Sequence, residues 1–296
     1  MTPNWLARRG VDRSLAVRRL ARVGHPRLRR ARARVHRSRV LRTVVAPGRR
    51  WLSAGPIAVS AGLGYGLLFS KRDLPLDHPH LGGIAYGNLE PPVQEALRRH
   101  VAPGSVFYDV GANVGFFSML AARLAGPQGR VFAFEPVPAN AAAIRLNTEL
   151  NGFTQVEVIE RALGSDSRPA HLQVVDEASW SKLADYGSHP GTQELLAIDT
   201  VAVDELVAGG LPPPDVAKID VEGAEIAVLE GMRDTIARHR PAIVCELHDT
   251  NAEFVALADE MGYMTMNLDG PEPVAEADGG IHALAVPLPE RGSIAA

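Results

Sequence analysis

The chain has 296 residues, of which 46% are hydrophobic and 22% charged, a composition typical of a globular protein large enough to bury a sizeable core. Its charge is unevenly distributed: 16 of the 31 basic residues are arginines within residues 1–50, and 33 of the 34 acids lie after that segment. An acidic body argues against nucleic acid as the main ligand, because binding phosphates needs a basic face. The single cysteine, Cys245, excludes an intramolecular disulfide and is typical of a reducing compartment, so we expect a cytoplasmic protein.

Residues 1–50 are predicted to form an extension apart from the folded domain. The segment is dense in arginine, contains one acid, Asp12, and has no long apolar stripe. A basic arm that makes peripheral contact with a membrane or with RNA has this composition, and a transit peptide shares it. We interpret the segment as a disordered extension and expect no secretory signal.

Residues 51–70 carry no charge and approach the length of a membrane span. Four glycines, one proline and three serines would make a poor spanning helix, so we predict no transmembrane segment but short strands joined by glycine turns. A loop is predicted over Lys71–Gly87. An amphipathic helix is predicted over Glu90–Val101, where apolar residues recur every four positions.

The most informative stretch runs from Val106 to Glu135. It is predicted as strand, glycine turn, helix and second strand, with the turn over Gly111–Gly115. A glycine turn between a strand and a helix lets backbone N–H groups approach a ligand closely. Glu135 ends the second strand, where an acid usually binds a ribose diol. The stretch therefore predicts a nucleoside-containing cofactor on a doubly wound α/β sheet.

Two residues of this stretch distinguish between nucleoside cofactors. The dinucleotide fingerprint has three glycines, but Asn113 occupies the second glycine position here, and Gly115 follows two residues later instead of three. Asp109, at the mouth of the turn, would repel a pyrophosphate and would suit an ammonium or sulfonium group. The sequence therefore favours S-adenosylmethionine (SAM) over NAD.

Beyond the turn, strands and helices alternate, which predicts a mostly parallel sheet with right-handed crossovers. Further strands are predicted over Val156–Ile159, Ala170–Val175, Ala197–Val203, Val216–Asp220, Ala242–Glu246, Tyr263–Leu268 and His282–Val286, and helices over Pro138–Leu150, Glu222–His239 and Asn251–Met261. The polar segment Asp176–Glu194 is predicted to be irregular, either a substrate loop or an ordinary surface excursion. No helix separates the last two strands, which indicates one antiparallel edge strand.

Five motifs together resemble those of the FkbM family of SAM-dependent methyltransferases. They are DVGANVGFFSMLAA, FAFEPVPAN, LNTELNG, KIDVEGAE and CELH, within a resemblance that covers roughly residues 85–286. The resemblance implies the seven-stranded, Rossmann-like sheet of class I methyltransferases. It also implies methyl transfer to a hydroxyl oxygen, with sugar units of glycolipids and polysaccharides, and macrolide hydroxyls, as acceptors. The predicted divisions are an extension over 1–50, lead-in strands and a helix over 51–103, a SAM-binding domain over 104–288 and a tail over 289–296.

The predicted cofactor residues come from the glycine turn and from the ends of the next two strands. Asp109 and the turn would hold the methionine part of SAM, Glu135 would accept both ribose hydroxyls in a bidentate contact, and Arg161 would flank adenine. The full set is Asp109, Gly111, Asn113, Gly115, Phe116, Glu135, Arg161 and Ala162.

The predicted acceptor residues lie at the ends of later strands. Methyl transfer to an alcohol needs alignment of the acceptor with the methyl group and a nearby base for its proton. Asp220 ends a core strand and is expected to face the methyl group, with Lys218 on the same side. Glu222 begins the predicted helix, and His248 is expected to be the general base. The structural alternatives are an ion pair for Lys218, a helix-dipole role for Glu222 and a structural histidine for His248.

A divalent cation is an alternative way to lower the pKa of an acceptor hydroxyl. Asp220, Glu222 and Glu246 could hold magnesium or calcium, which prefer oxygen ligands. Because three acids near strand ends are common without a metal, no metal site is predicted. The residues thus favour SAM as the cofactor, and the resemblance implies an O-methyltransferase that acts on a small molecule or glycan. The alternatives are an NAD-linked oxidoreductase and a non-catalytic SAM-binding module.

Overall fold

The computed structural model describes residues 55–71, 80–175, 181–184 and 192–289. The predictions for residues 1–50, for residues 290–296 and for most of 176–194 lie outside these ranges. Within them, no helix is both long and apolar enough to cross a membrane.

The described elements alternate between strands and helices along most of the chain. The strands are β1 (Ile57–Ala58), β2 (Leu68–Phe69), β3 (Val106–Val110), β4 (Arg130–Phe134), β5 (Val156–Ile159), β6 (Ala162–Leu163), β7 (Pro169–Val175), β8 (Ser181–Leu183), β9 (Thr192–Val201), β10 (Val216–Ile219), β11 (Ala242–Leu247), β12 (Tyr263–Asn267) and β13 (Ile281–Pro287). The helices are α1 (Leu81–Tyr86), α2 (Pro91–His100), α3 (Phe116–Ala125), α4 (Pro138–Asn151), α5 (Val203–Ala208), α6 (Glu225–Glu230), α7 (Arg233–His239) and α8 (Asn251–Glu260).

A seven-stranded sheet forms the centre of the fold, in the order β12-β13-β11-β10-β3-β4-β5. All its strands are parallel except β13, which pairs antiparallel with both β11 and β12. This sheet confirms the predicted doubly wound class I methyltransferase fold. From β3 the chain adds β4 and β5 on one side and later β10 and β11 on the other. The carboxyl ends of β3 and β10 therefore flank the switch point at which open α/β sheets bind ligands.

The antiparallel strand lies one place in from the edge rather than at the edge that the sequence predicted. Helix α8 leads from β11 to β12 and leaves the width of one strand between them. Strand β13 then runs back into that gap, so that β12 becomes the edge.

Both faces of the sheet are covered, because side chains of a strand alternate between its faces. Phe107 on β3 packs into one buried cluster with residues of α2 and α3. Its neighbour Tyr108 packs into a second cluster with residues of α6, α7 and α8.

The lead-in segment forms the predicted short strands, and asparagines of α4 bind it to the domain. Asn151 accepts a hydrogen bond from the Leu68 N–H (2.9 Å) and donates one to the Leu68 carbonyl (2.7 Å). Asn147 accepts from the Ser70 N–H (2.8 Å) and donates to the Val114 carbonyl in the glycine turn (2.8 Å). The two asparagines of the LNTELNG motif thus connect the lead-in to the domain and to the turn.

A second sheet, in the order β6-β9-β7-β8, is inserted between β5 and β10. The predicted strand Ala197–Val203 begins earlier, at Thr192, and β8 also lies within the segment predicted to be irregular. Pairing with β7 explains both differences, because Leu172 lies opposite both Leu183 and Leu196 in the two ladders.

The long helix predicted over Glu222–His239 is two helices, α6 and α7. The chain bends at Gly231, where a Cβ atom would lie 2.0 Å from the carbonyl oxygen of Gly164. Helix α7 begins after this bend, and the Asp204 carboxylate accepts hydrogen bonds from the N–H groups of Asp234 (2.9 Å) and Thr235 (2.8 Å) in its first turn. Neither a close approach of two loops nor a cap from a distant residue leaves a local sequence signal.

Candidate active site

A cleft of about 630 Å³, partly open to solvent, lies at the carboxyl ends of β3, β4 and β10. Seven of the predicted site residues line it, although they come from four separate parts of the chain. They are Gly111, Asn113, Glu135, Arg161, Ala162, Asp220 and Glu222.

A smaller space of about 360 Å³ adjoins this cleft and shares three lining residues with it, Gly111, Asn113 and Asp220. Phe116 and Lys218 line the smaller space. The two spaces therefore meet at the glycine turn and at the end of β10.

The glycine turn is held against the end of β10 by its backbone conformation. Gly111 has φ +76°, and a Cβ atom there would lie 1.8 Å from the carbonyl oxygen of Asp220. Gly115 has φ +82° and packs against Ile144, and Asn113 between them also has a positive φ of 53°. Only glycine permits the contact at position 111.

Asp109 lies beneath the turn and lines neither space, so its effect on the amino group of SAM, expected either directly or through water, stays a prediction. Its side chain is fully buried, and Oδ2 accepts a hydrogen bond from the Ser118 hydroxyl (2.5 Å) at the start of α3. Burial raises the pKa of Asp109, while the charge of Lys218 acts to lower it. The other oxygen, Oδ1, is buried and has no hydrogen-bond partner among the described residues.

Glu135 lines the cleft at the end of β4, and protein donors hold its carboxylate. The N–H groups of Asn113 and Val137 donate to its two oxygens at 2.8 and 2.9 Å, and the Asn140 amide lies at 3.4 Å. Burial raises the pKa of Glu135 to about 7, although the hydrogen bonds from these donors act to lower it. A carboxylate offers about four acceptor positions, and the three protein donors already use three of them. Binding of both ribose hydroxyls would therefore displace one donor, most readily the distant Asn140 amide.

Arg161 and Ala162 lie where the chain enters the second sheet. The Arg161 N–H donates to the Ile159 carbonyl (2.8 Å), and this local turn places Ala162 on the wall of the cleft. Leu163 and Leu172 add an apolar surface beside them. This side of the cleft can accommodate a flat apolar ring.

Lys218 forms an ion pair with Asp220, which the sequence had offered as the structural alternative to a catalytic role. Its Nζ atom lies 2.8 Å from Asp220 Oδ2. Burial acts to lower the pKa of Lys218, but the charges of Asp220, Asp109 and Glu90 raise it, so that the amine stays protonated. The same pair holds the pKa of Asp220 below its usual value although burial opposes this.

Glu222 does not belong to a helix, so the helix-dipole alternative for this residue is wrong. Helix α6 begins three residues later, and Glu222 occupies the turn before it with φ +52°, a conformation that costs free energy in a residue other than glycine. Its carboxylate lines the cleft beside Asp220, and burial raises its pKa.

His248 lies among carboxylates and does not line the cleft. Its Nδ1 atom is 2.7 Å from Glu225, and its Nε2 atom is 3.5 Å from Glu222 and 3.8 Å from Glu246. Burial acts to lower its pKa, but the hydrogen bond to Glu225 and the nearby negative charges raise the pKa of His248 to about 9. The ring is therefore protonated at neutral pH, which argues against the predicted role of general base.

Four further residues of this region were not among the site residues predicted from the sequence: Glu90, Glu225, Asp269 and His282. His282 lies opposite Glu246 in the antiparallel β11–β13 ladder, and Glu90 precedes α2 with φ +42°. The position of β13 beside β11 would have identified His282, but the sequence predicted β13 only as the partner of β12.

The cleft residues fit SAM. Asn113 lines both spaces, and its side-chain oxygen is buried without a hydrogen-bond partner in the described structure, so it can accept from a ligand amine or hydroxyl. The glycine turn leaves the backbone open to close approach, and Glu135 supplies a carboxylate at the position expected for a ribose.

Comparison with known proteins supports the same interpretation. The model of the methyltransferase FkbM domain matches residues 109–270. Similar proteins include the hexuronic acid methyltransferase AglP of Haloferax volcanii, 32% identical over 54% of this chain and 62% of its own length. They also include the 31-O-demethyl-FK506 methyltransferase FkbM of Streptomyces tacrolimicus, 31% identical over 57% of this chain and 76% of its own length.

The chain thus spans somewhat less than two thirds of AglP. A solved structure of methyltransferase FkbM from Methylobacillus flagellatus is 17% identical, with a TM-score of 0.42, over 65% of this chain and 50% of that one.

Proposed function

The chain belongs to the FkbM methyltransferase family, and on that premise we propose that it transfers the methyl group of SAM to a hydroxyl of a small molecule or glycan. The observation that best supports this function is that the cofactor cleft and the smaller space meet at Gly111, Asn113 and Asp220. A methyl group at this junction would face both spaces. The names of the two relatives, a hexuronic acid methyltransferase and a 31-O-demethyl-FK506 methyltransferase, support sugar or polyketide-type acceptors.

The adenosine part of SAM would lie in the larger cleft. Glu135 would bind the ribose, and Arg161 and Ala162 would flank the adenine. The methionine part would pass over the glycine turn toward the smaller space, in contact with Asn113. Asp109 would act on its amino group from beneath the turn.

The reaction is an in-line displacement at the methyl carbon. The acceptor oxygen forms the new C–O bond, the C–S bond breaks, and its electron pair stays on sulfur as S-adenosylhomocysteine forms. The acceptor proton must pass to a base. Lys218 and His248 are already protonated, and the ion pair with Lys218 makes Asp220 a weak base. Glu222, a carboxylate with a raised pKa on the cleft wall, is the base that this comparison favours.

SAM binding is expected to depend on pH through Glu135. Ribose hydroxyls donate to the ionised carboxylate, and burial raises the pKa of Glu135 to about 7. Below pH 7 binding must therefore release a proton, and the affinity should fall by roughly tenfold per pH unit. Glu135→Gln should bind SAM at least roughly tenfold more weakly at pH 8 and should lose this dependence.

Isothermal titration between pH 5.5 and 8.5 measures this effect, with Glu157→Gln, an exposed glutamate on β5, as the matched control. A wild-type affinity that stays constant across this range would show that the ribose does not bind at Glu135.

The function itself is tested by incubating the protein with SAM and a pool of sugars and alcohols. We expect S-adenosylhomocysteine to be released in proportion to a methylated product, only when acceptors are present. A protein that binds SAM but releases no S-adenosylhomocysteine with any acceptor would support the non-catalytic alternative.

A further inference from the structure

Three side chains from distant parts of the chain converge beside the smaller space. Glu90 lies before α2 and lines that space, Glu246 lies on β11, and His282 lies opposite it on β13. The Nε2 atom of His282 is 3.4 Å from Glu90 Oε2 and 3.6 Å from Glu246 Oε2.

These contacts are not hydrogen bonds of normal geometry. Glu90 Oε2 and His282 Nε2 are both buried atoms, and neither has a hydrogen-bond partner within the part of the chain that the structure describes. Leaving such polar atoms without a partner costs free energy unless a ligand satisfies them. The separations are instead those of donor atoms around one cation. Bonds of about 2.1 Å place the ligand atoms of a tetrahedral site about 3.4 Å apart.

Asp269 provides a second, independent indication. Its carboxylate lies 2.9 and 3.2 Å from His282 Nδ1, and it also accepts the His282 backbone N–H at 2.8 Å. A carboxylate that accepts Nδ1–H leaves Nε2 directed at the opposite side, which is how proteins orient a histidine that binds a metal. Here that opposite side is occupied by Glu90 and Glu246.

We propose that Glu90, Glu246 and His282 bind one first-row divalent metal ion, of the Mn²⁺ or Zn²⁺ type. One imidazole and two carboxylates suit these ions better than Mg²⁺ or Ca²⁺, which prefer oxygen alone. Three protein ligands leave at least one coordination position open, as in catalytic sites. This site differs from the set of Asp220, Glu222 and Glu246 considered from the sequence, since it shares only Glu246 with it.

The position of the cation gives it a role that rests on the proposed function. Glu90 lines the smaller space together with Lys218 and Asp220, so the ion would lie beside the junction at which the methyl group is proposed to lie. There it would bind an acceptor hydroxyl and lower its pKa. A proton is the competing occupant. Burial acts to lower the pKa of His282, but the surrounding carboxylates, Glu246 and Glu90 foremost, raise it to about 11.

The test is direct metal binding to the full chain after treatment with a chelator. Titration with Mn²⁺, followed by electron paramagnetic resonance, and with Zn²⁺, followed by calorimetry, should each give about one equivalent per chain. Glu90→Gln and His282→Gln should abolish binding at this site. Asp269→Asn keeps the ligands and should weaken binding by roughly 10- to 100-fold.

His171→Gln, an exposed histidine on β7, is the matched control and should bind as wild type does. Absence of Mn²⁺ and Zn²⁺ binding at millimolar concentration, or wild-type binding by His282→Gln, would overturn the site. Because the assay contains no SAM and no acceptor, it distinguishes failure of the metal site from failure of the methyltransferase proposal. Thermal unfolding of each variant establishes that the chain is folded.

Discussion

The substitution Glu222→Gln is expected to lower turnover by roughly 10²- to 10⁴-fold, the size typical of removing a general base. Glutamine keeps the volume and can still donate a hydrogen bond, but it cannot accept the proton of the acceptor hydroxyl. Of the two carboxylates that follow β10, Glu222 has a pKa that burial raises, whereas the ion pair with Lys218 lowers the pKa of Asp220. For the same reason, wild-type turnover should fall as the pH falls through the raised pKa of Glu222.

Release of S-adenosylhomocysteine in single turnovers measures this effect, and titration with SAM on the same variant separates chemistry from binding. We expect the affinity for SAM to change by no more than a few-fold. The matched control is Glu253→Gln, an exposed glutamate on α8 that should react as wild type does. Full turnover in Glu222→Gln would place the base elsewhere and would leave Asp220 as the next residue to test.

The substitution Gly111→Ala is expected to abolish SAM binding and to lower the free energy of unfolding by roughly 2–4 kcal/mol, the sum of a backbone cost and a steric cost. The left-handed backbone conformation alone costs alanine about 1 kcal/mol relative to glycine. The added Cβ would also lie 1.8 Å from the carbonyl oxygen of Asp220, so the turn and the end of β10 would have to separate. Both spaces include these two residues, and both would change shape.

Gly104→Ala is the matched control for this effect. Gly104 has a similar φ of +89°, but a Cβ atom there would meet nothing within 4 Å. Urea unfolding should therefore show only the conformational cost of about 1 kcal/mol for Gly104→Ala. Equal losses in the two variants would mean that the contact between the turn and β10 does not hold the site together.

The lining of the larger cleft could be predicted from the sequence because its signals are local. The glycine turn, Asn113 and Glu135 lie within one strand–helix–strand unit, and the end of a parallel strand always faces the same edge of the sheet. The surroundings of Asp109 were not evident from the sequence. The sequence shows an acid at the mouth of the turn, but not that the Ser118 hydroxyl on α3 donates a hydrogen bond to its carboxylate.

The surroundings of His248 and His282 could not be predicted in the same way, because they depend on which strands are neighbours. The position of His248 after β11 predicted a base. Glu222 and Glu225 lie on the loop and the helix that follow β10, and their negative charges keep the His248 ring protonated. His282 lies opposite Glu246 only because β13 inserts between β11 and β12. No periodicity or spacing in the sequence specifies that order.

Calorimetric titration of the wild-type chain at pH 8 with SAM, and separately with NAD, tests the central claim most directly. The claim is that the space between the glycine turn, Glu135 and the end of β10 binds SAM. We expect about one SAM per chain and no measurable NAD binding, because Asn113 replaces the second glycine of the dinucleotide fingerprint. Binding of NAD without binding of SAM would contradict the account.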